Sequence, residues 1–264
     1  AEIVISDSSS GKGVENSTKE IDSKIAISYL RVGKIYPYEA SNLGAHHAKY
    51  KWLAFLDTTT IPDSSWLKDY YKIIEQKKMD VIFGVTKYLA QTNFQHLIRA
   101  STYGRRGHET VPGTLIKKIH FLDSGKIIEG VRSGGDIEWR NRIKSLRYKW
   151  ITPKEICLTY AVLPNNIIPT LKKFFMYQLQ SARLDVQNTV KDIYLGLLLI
   201  LSAIIIPKWN YIVGWEDSIL YMPNVTKIYL IALVIVLLST LMVNRGLLKN
   251  LSKHKIQIIS SGGT

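Results

Sequence analysis

One stretch, residues 51–63 (KWLAFLDTTTIPD), constrains the fold more than any other part of the chain. Its apolar run, Trp52 to Leu56, has the length of a strand that is buried on both faces of a sheet. The run ends in a carboxylate, Asp57, and beyond Pro62 the apolar residues recur at helical spacing. Open α/β sheets bind ligands where their strands end, so the pattern predicts a ligand-binding carboxylate. A turn that Asp57 merely caps is the alternative.

The segments around this stretch alternate between strand and helix patterns. Strands are predicted at 1–6, 24–32, 52–56, 79–88 and 114–121, and helices at 37–50, 63–76, 91–103 and 136–146. This alternation, up to about residue 160, is typical of an α/β domain with a central, mostly parallel sheet. Segment 104–113 is rich in Gly, Pro and charge, and we predict a loop there.

Two apolar runs, 193–206 and 228–243, predict a second, α-helical part. A span needs about 20 apolar residues, so each run must include its flanks to cross a bilayer, or the pair forms a shallow hairpin. Lys and Arg are concentrated outside the pair, and aromatic residues lie between the runs. The positive-inside rule then places both ends in the cytoplasm. We expect a multi-pass protein of the cell membrane with its first domain on the cytoplasmic side.

An amphipathic helix is predicted just before these runs, within residues 164–190. From Ile168 its apolar residues fall on one face, and Lys172, Lys173 and Arg183 lie off that face. Such a helix suits a membrane interface, whereas packing on the first domain is the alternative. The predicted divisions are a domain at 1–163, this helix at 164–190, a membrane hairpin at 191–246 and a basic cytoplasmic tail at 247–264.

The chain is basic, with 35 Lys and Arg against 21 Asp and Glu and a formal net charge of +14. Such a balance suits nucleic acid, anionic lipid or phosphorylated substrates alike. Anionic lipid and phosphate fit the membrane pattern better, and the sequence carries no nucleic-acid-binding signature, so we expect no nucleic-acid partner. The single cysteine, Cys157, excludes an internal disulfide framework.

Four short motifs lie in order along the chain. They are Ser6-Asp7-Ser8-Ser9, Ala40-Ser41-Asn42-Leu43-Gly44, Phe55-Leu56-Asp57-Thr58-Thr59 and Gly135-Asp136-Ile137-Glu138-Trp139. Together they resemble the motifs of family 2 glycosyltransferases, inverting enzymes with the GT-A fold. The resemblance covers roughly residues 2–150 and implies a nucleotide-diphospho-sugar donor and a lipid-linked or glycan acceptor. The opening strand of that family has no counterpart here, so we expect an N-terminal truncation.

The resemblance also assigns roles to single residues. Asp136 is implied as the general base that takes the proton of the acceptor hydroxyl, with helix capping as the alternative. Asp7 is implied to contact the nucleotide base, and Asp57 the ribose or the metal-bound diphosphate. Further substrate-binding residues are expected in the matched motifs and in the loop at 104–113. They are Asn42, Thr59, Arg105, Arg106, His108, Glu109 and Glu138.

Two departures from the family pattern affect the expected chemistry. Thr59 replaces the second acid of the Asp-x-Asp motif, so a divalent metal, Mg or Mn, would be held weakly, with Asp57 as its ligand. Gly135 replaces the first acid of the later pair. We expect a membrane-associated glycosyltransferase of cell-surface glycan assembly. The alternative is a non-catalytic, membrane-anchored protein of the same fold that binds a sugar nucleotide or a glycan.

Overall fold

The structure is a computed structural model that describes residues 1–184, 186 and 188–243. The chain divides into two compact units, the first from Ala1 to Val186 and the second from residue 187 onward. The predicted basic tail at 247–264 and the end of the predicted hairpin, 244–246, lie outside the described residues.

The first unit is an α/β fold. Its strands are β1 (Glu2–Asp7), β2 (Ala26–Arg31), β3 (Trp52–Ala54), β4 (Thr60–Pro62), β5 (Val81–Tyr88), β6 (His108–Lys117), β7 (Trp150–Ile151) and β8 (Leu158–Tyr160). Its helices are α1 (Gly13–Glu20), α2 (Pro37–His47), α3 (Trp66–Lys77), α4 (Asn93–Thr102), α5 (Lys118–Asp123), α6 (Gly135–Ser145) and α7 (Ile167–Ser181). The α/β class predicted from the alternating patterns is confirmed.

The strand pairing is mixed, where we predicted a mostly parallel sheet. β1 and β2 pair in parallel, and the larger sheet has the order β3-β6-β5-β8-β4, with β7 beside β5. β5 runs parallel to β7 and β8 but antiparallel to β6. The β3–β6 and β4–β8 pairings are also antiparallel. Two of the three antiparallel pairings involve β6, which lies between β3 and β5.

β6 begins at His108, so the prediction of a loop throughout 104–113 is wrong. The strand accommodates its Pro and Gly through a bulge, because the β5–β6 register shifts between Ile82 and Gly84. A Cβ at Gly84 would lie 2.0 Å from the carbonyl oxygen of Pro112, so only glycine permits this approach. The turn-forming composition therefore marks a bulge within a strand.

β3 is shorter than predicted and lies at the edge of the larger sheet. Leu53 and Phe55 are buried, whereas Ala54 and Leu56 are exposed, so the prediction of burial on both faces is wrong. Alternate side chains of a strand point to opposite faces, so one face of β3 is buried and the other is exposed. The chain still turns at Asp57, directly beyond this segment.

Aromatic side chains between the larger sheet and the helices fix the position of α6. Phe55, Phe83 and Phe121 surround the fully buried ring of Trp139, with ring centroids 6.3, 6.4 and 5.7 Å from it. Such contacts between buried rings add to the energy of apolar burial. Because Trp139 is held in this core, the first turn of α6 has a fixed place at its edge.

The second unit contains α8 (Asn188–Val213) and α9 (Asn224–Val243). By length and composition, segments of 24 residues (Val190–Val213) and 20 residues (Asn224–Val243) suffice to cross a membrane. Both predicted apolar runs lie inside these helices. α8 includes the flanking residues that the shorter run required and continues through Pro207. Leu199, Val234 and Leu241 pack together within this unit.

Candidate active site

Asp136 lies in the first turn of α6, directly after the loop that ends in Gly134 and Gly135. Tyr38 donates a hydrogen bond of 3.0 Å to its Oδ1, and Nη2 of Arg140 lies 3.5 Å from its Oδ2. The carboxylate is 28% exposed, so an acceptor can reach it. Among the described residues, no side chain caps α6. Helix capping therefore does not account for this aspartate.

α2 holds the loop before Asp136 from one side. Nδ2 of Asn42 donates to the carbonyl oxygen of Ile127 (2.8 Å), and its Oδ1 accepts from the amide of Ile127 (3.0 Å). Oε1 of Glu39 accepts from the amide of Gly130 (2.7 Å). Asn42 is buried, so the structure contradicts the predicted substrate contact of this side chain. Its amide group instead fixes the backbone of the loop.

α7 holds the same loop from the other side. The amide of Arg132 donates to Oε1 of Gln180 (2.6 Å), and Oγ of Ser133 donates to the carbonyl oxygen of Tyr177 (2.8 Å). The hydroxyls of Ser133 and Ser181 lie 3.0 Å apart. Gln180 and Ser181 are buried, so these contacts are shielded from water. The loop that leads to the candidate base is thus anchored by two helices.

Asp57 occupies an exposed turn between β3 and β4. Its Oδ1 accepts from the amide of Thr59 (3.2 Å) and from Oγ1 of Thr58 (3.3 Å), so it does cap this turn. Burial raises the pKa of Tyr160, the Asp57 carboxylate raises it further, and Arg132 lowers it. The Asp57 carboxylate and Arg132, which lies in the loop before Asp136, therefore both affect the pKa of Tyr160.

The residues that can hold a metal are few. In the part of the chain that the structure describes, no three His, Cys, Asp or Glu side chains are grouped to hold a metal ion. Asp57 supplies one exposed carboxylate, and Thr59 can add only a hydroxyl. This donor set fits a metal that takes most of its ligands from a bound diphosphate and from water.

Asp7 ends β1 and is buried. The hydroxyl of Tyr29 donates to its Oδ2 (2.6 Å) and the amide of Ser9 to its Oδ1 (2.8 Å). These hydrogen bonds, Tyr29 first, lower the pKa of the carboxyl group. Beside it opens a pocket of about 490 Å³, lined in part by Arg31 and Lys34. Both basic residues were missed by the sequence analysis, and their positions at the end of β2 and just beyond it are the signal that could have revealed them.

Three tyrosines that cluster with the predicted residue His108 were also missed. Tyr88 stacks on Tyr103 with ring centroids 3.7 Å apart, and Tyr160 and His108 contact its ring at 5.1 and 5.7 Å. Burial raises the pKa of Tyr103 to about 12, so its hydroxyl stays protonated. Tyr88 and Tyr160 end strands β5 and β8, which is the signal that could have revealed them.

The predicted loop residues separate into two groups. Glu109 lies inside the protein, where Nζ of Lys144 (2.6 Å) and Nη1 of Arg140 (3.1 Å) bind its Oε1. Burial raises the pKa of Glu109, but these partners outweigh burial and leave that pKa lowered. The carboxylate of Glu109 is used in this partly buried network, and its predicted substrate contact stays a prediction. Arg105 and Arg106 are exposed on the bend between α4 and β6, and their substrate contact stays a prediction.

Glu138, the other acid of α6, has a structural partner. Its two oxygens accept from Nε (2.8 Å) and Nη2 (3.0 Å) of Arg142. Arg142 also donates to the carbonyl oxygens of Lys126 (2.8 Å) and Gly125 (3.0 Å). This carboxylate therefore stabilises the start of the loop, and Asp136 is the acid of the pair that is better placed for chemistry.

The described fold is an α/β domain with acidic residues at or just beyond the ends of β1 and β3 and in the first turn of α6. The family model described as "Glycosyl transferase family 2" matches residues 1–128. Residues 1–128, just under half of the chain, therefore match glycosyl transferase family 2, an enzyme family, and the predicted GT-A-type fold class is confirmed. Three of the four motifs that carry the resemblance, around Asp7, Asn42 and Asp57, lie inside the matched residues, and Asp136 lies just beyond them.

Similar proteins have been found by sequence and by structure. Chondroitin synthase of Escherichia coli is 28% identical over 143 residues, which are 53% of this chain and 19% of that protein. TarS 1–349 of S. aureus in complex with UDP-GlcNAc aligns with a TM-score of 0.46 and 13% identity, over 89% of this chain and 62% of that one. TarS 1–349 alone gives 0.48 and 14%, over 72% and 59%. The chain spans less than two thirds of the length of each.

Proposed function

We propose that the protein transfers a sugar from a nucleotide-diphospho-sugar to a lipid-linked or glycan acceptor in cell-surface glycan assembly, with inversion at the anomeric carbon. The observation that carries this proposal is Asp136, a partly exposed carboxylate at the start of α6 with fixed hydrogen-bond partners. The family match supports transfer chemistry. The similarity to a protein named chondroitin synthase supports a glycan acceptor.

In the proposed reaction, Asp136 accepts the proton of the acceptor hydroxyl as its oxygen attacks the anomeric carbon. The bond from that carbon to the phosphate oxygen breaks, and the nucleoside diphosphate leaves with the electron pair on the opposite face. Arg140, whose Nη2 lies 3.5 Å from Oδ2, and the first-turn amides of α6 place positive charge beside this carboxylate. Attack and departure on opposite faces give inversion.

The donor would bind along the carboxyl ends of β1, β2 and β3. Asp7 and the small residues that follow it let the nucleotide approach the backbone, and Arg31 and Lys34 add positive charge beside it. Asp57 then lies on the side of the diphosphate. A divalent metal, when bound, would supply positive charge to the leaving group, held from this chain by Asp57 with little help from Thr59.

Membrane attachment is the second part of the proposal. One face of α7 exposes large apolar side chains, among them Ile168 (76%), Leu171 (63%) and Phe175 (68%), and Lys172 is exposed on the same helix. Such a face suits the interface of a bilayer with anionic lipid. α8 and α9 are apolar enough to span it. The charge pattern around them supports a multi-pass protein with its catalytic domain in the cytoplasm.

A donor screen of the full chain in detergent tests this function. We expect release of UDP, or another nucleoside diphosphate, from one of a panel of nucleotide sugars, with manganese and without it. Asp136→Asn should lower the rate by about 100-fold or more, because general-base catalysis is lost. Asp63→Asn, which alters an exposed carboxylate before α3, is the control and should leave the rate unchanged.

A folded Asp136→Asn protein that transfers sugar at the parent rate would exclude Asp136 as the base. The second candidate function is binding of a sugar nucleotide or glycan without transfer, and Thr59 and Gly135 favour it because each replaces an acid of the family pattern. Donor binding measured by calorimetry, with no release of nucleotide from any donor in the panel, would support this second function and contradict the first.

A further inference from the structure

Tyr38 is the one side chain of α2 that touches the candidate base directly, among the contacts of the described residues. Its hydroxyl donates to Oδ1 of Asp136 at 3.0 Å, although the two residues lie 98 positions apart in the chain. Its ring packs against the core cluster that contains Trp139. The hydroxyl is therefore held at its position by apolar contacts of the ring.

The same ring covers Gly135, the residue before the candidate base. A Cβ at Gly135 would lie 2.9 Å from both Cδ2 and Cε2 of Tyr38, and 3.4 Å from the carbonyl oxygen of Ile128. Real Cβ atoms do not approach a ring so closely, so the ring of Tyr38 uses the space that a side chain at 135 would need. The ring of Tyr38 therefore packs closely against the backbone at Gly135, where a side chain is absent.

The hydroxyl of Tyr38 stays protonated at neutral pH. Burial, followed by the negative charge of Asp136, raises the pKa of Tyr38 well above its usual value. A protonated phenol donates its hydrogen bond to the carboxylate, which fixes the direction of the carboxylate and leaves Oδ2 on the side of Arg140. A base whose oxygens are oriented beforehand loses less orientational freedom when the acceptor arrives.

We infer that Tyr38 is a positioning residue for Asp136, and that its ring stands in the place of a side chain at Gly135. This inference rests on the proposed function, since it assigns Asp136 as the base. It predicts two separable effects. The hydroxyl orients the carboxylate and affects turnover, whereas the ring fills the space beside Gly135 and affects packing.

A double-mutant cycle tests the hydroxyl, with nucleotide release from the panel as the assay and the full chain in detergent. Tyr38→Phe should lower kcat by about tenfold or more, because a hydrogen bond to a charged group is lost, with donor KM and Tm little changed. In the Asp136→Asn background the same change should have no further effect. Tyr36→Phe, at an exposed tyrosine before α2, is the control.

The outcomes separate this inference from the proposed function. Loss of turnover in Asp136→Asn with parent kcat in Tyr38→Phe overturns the inference and leaves the function standing. Equal losses from Tyr38→Phe in both backgrounds also overturn it, because the tyrosine then acts without the aspartate. Parent kcat in Asp136→Asn, or no nucleotide release by the parent, overturns the function and the kinetic role of Tyr38 together.

The packing is tested without turnover, by Tm. Gly135→Ala should lower Tm clearly in the parent and much less with Tyr38→Ala, because the smaller residue vacates the space. Tyr38→Leu gives a second background should the alanine variant not fold. Equal destabilisation by Gly135→Ala in every background would show that the ring does not occupy this space, and would overturn the second half of the inference.

Discussion

At the scale of single residues, Thr59 shows how one substitution changes an electrostatic site. Its amide donates to Oδ1 of Asp57, and its side chain supplies a hydroxyl where relatives with an Asp-x-Asp motif have a second carboxylate. A neutral hydroxyl is a weak ligand for a hard divalent cation. The turn around Asp57 therefore offers a divalent cation less negative charge than a turn with two carboxylates.

Restoring the acid is expected to restore tight metal binding. Thr59→Asp should lower the manganese concentration for half-maximal nucleotide release by about tenfold, because a second charged oxygen ligand is added. A manganese titration of the release rate measures this, with Thr58→Asp at the neighbouring exposed position as the control. A parent that already saturates at low micromolar manganese, unchanged by Thr59→Asp, would contradict the expectation.

At the scale of elements, the loop between α5 and α6 depends on two helices that are distant in sequence. Gln180 receives the amide of Arg132 from a position 48 residues further along the chain. Without Gln180, the amide of Arg132 would lose a hydrogen-bond partner that is itself buried. The conformation of this loop therefore depends on its contacts with α7 as well as on its own sequence.

Gln180→Ala should therefore lower kcat by about tenfold while the larger sheet stays folded, because the loop before Asp136 loses one of its anchors. Nucleotide release and far-UV circular dichroism measure the two effects. Gln178→Ala removes an exposed glutamine from the same helix and should leave both unchanged. Similar losses in the two variants would show that the hydrogen bond between Gln180 and Arg132 has no specific effect on turnover.

The sequence predicted elements better than it predicted their contacts. α2, α3, α4, α6 and α7 all lie within the predicted helical segments, extended by one residue at most, because apolar spacing is a local signal. The first part of β6, residues 108–113, was missed because Pro112 and Gly113 occupy a bulge that resembles a loop in composition. The bond from Tyr38 to Asp136 links distant segments, and no local pattern encodes such a contact. Among the predicted site residues, Asn42 is buried and Glu109 is partly buried in a network with Arg140 and Lys144, which are contacts that no local pattern encodes, and the other assignments stay predictions.

At the scale of the whole molecule, the proposed orientation in the membrane can be measured. Asp217 is exposed between α8 and α9, so Asp217→Cys should react with a membrane-impermeant maleimide added to intact cells. Ser252→Cys, in the predicted tail outside the described residues, should react only after the cells are opened. Cys157 is buried and gives little background. Labelling of both positions from one side would contradict a two-span hairpin.

The two roles of α7 affect how a water-soluble form of this protein can be designed. A fragment that ends at residue 163, the boundary drawn from sequence, would discard the exposed apolar face and, with it, the partners of Arg132 and Ser133. Shortening the chain would gain solubility and lose the shape of the loop before Asp136. The exposed apolar side chains and the contacts with the loop before Asp136 lie on different faces of α7. The useful route is to keep α7 and replace Ile168, Leu171 and Phe175 by polar residues.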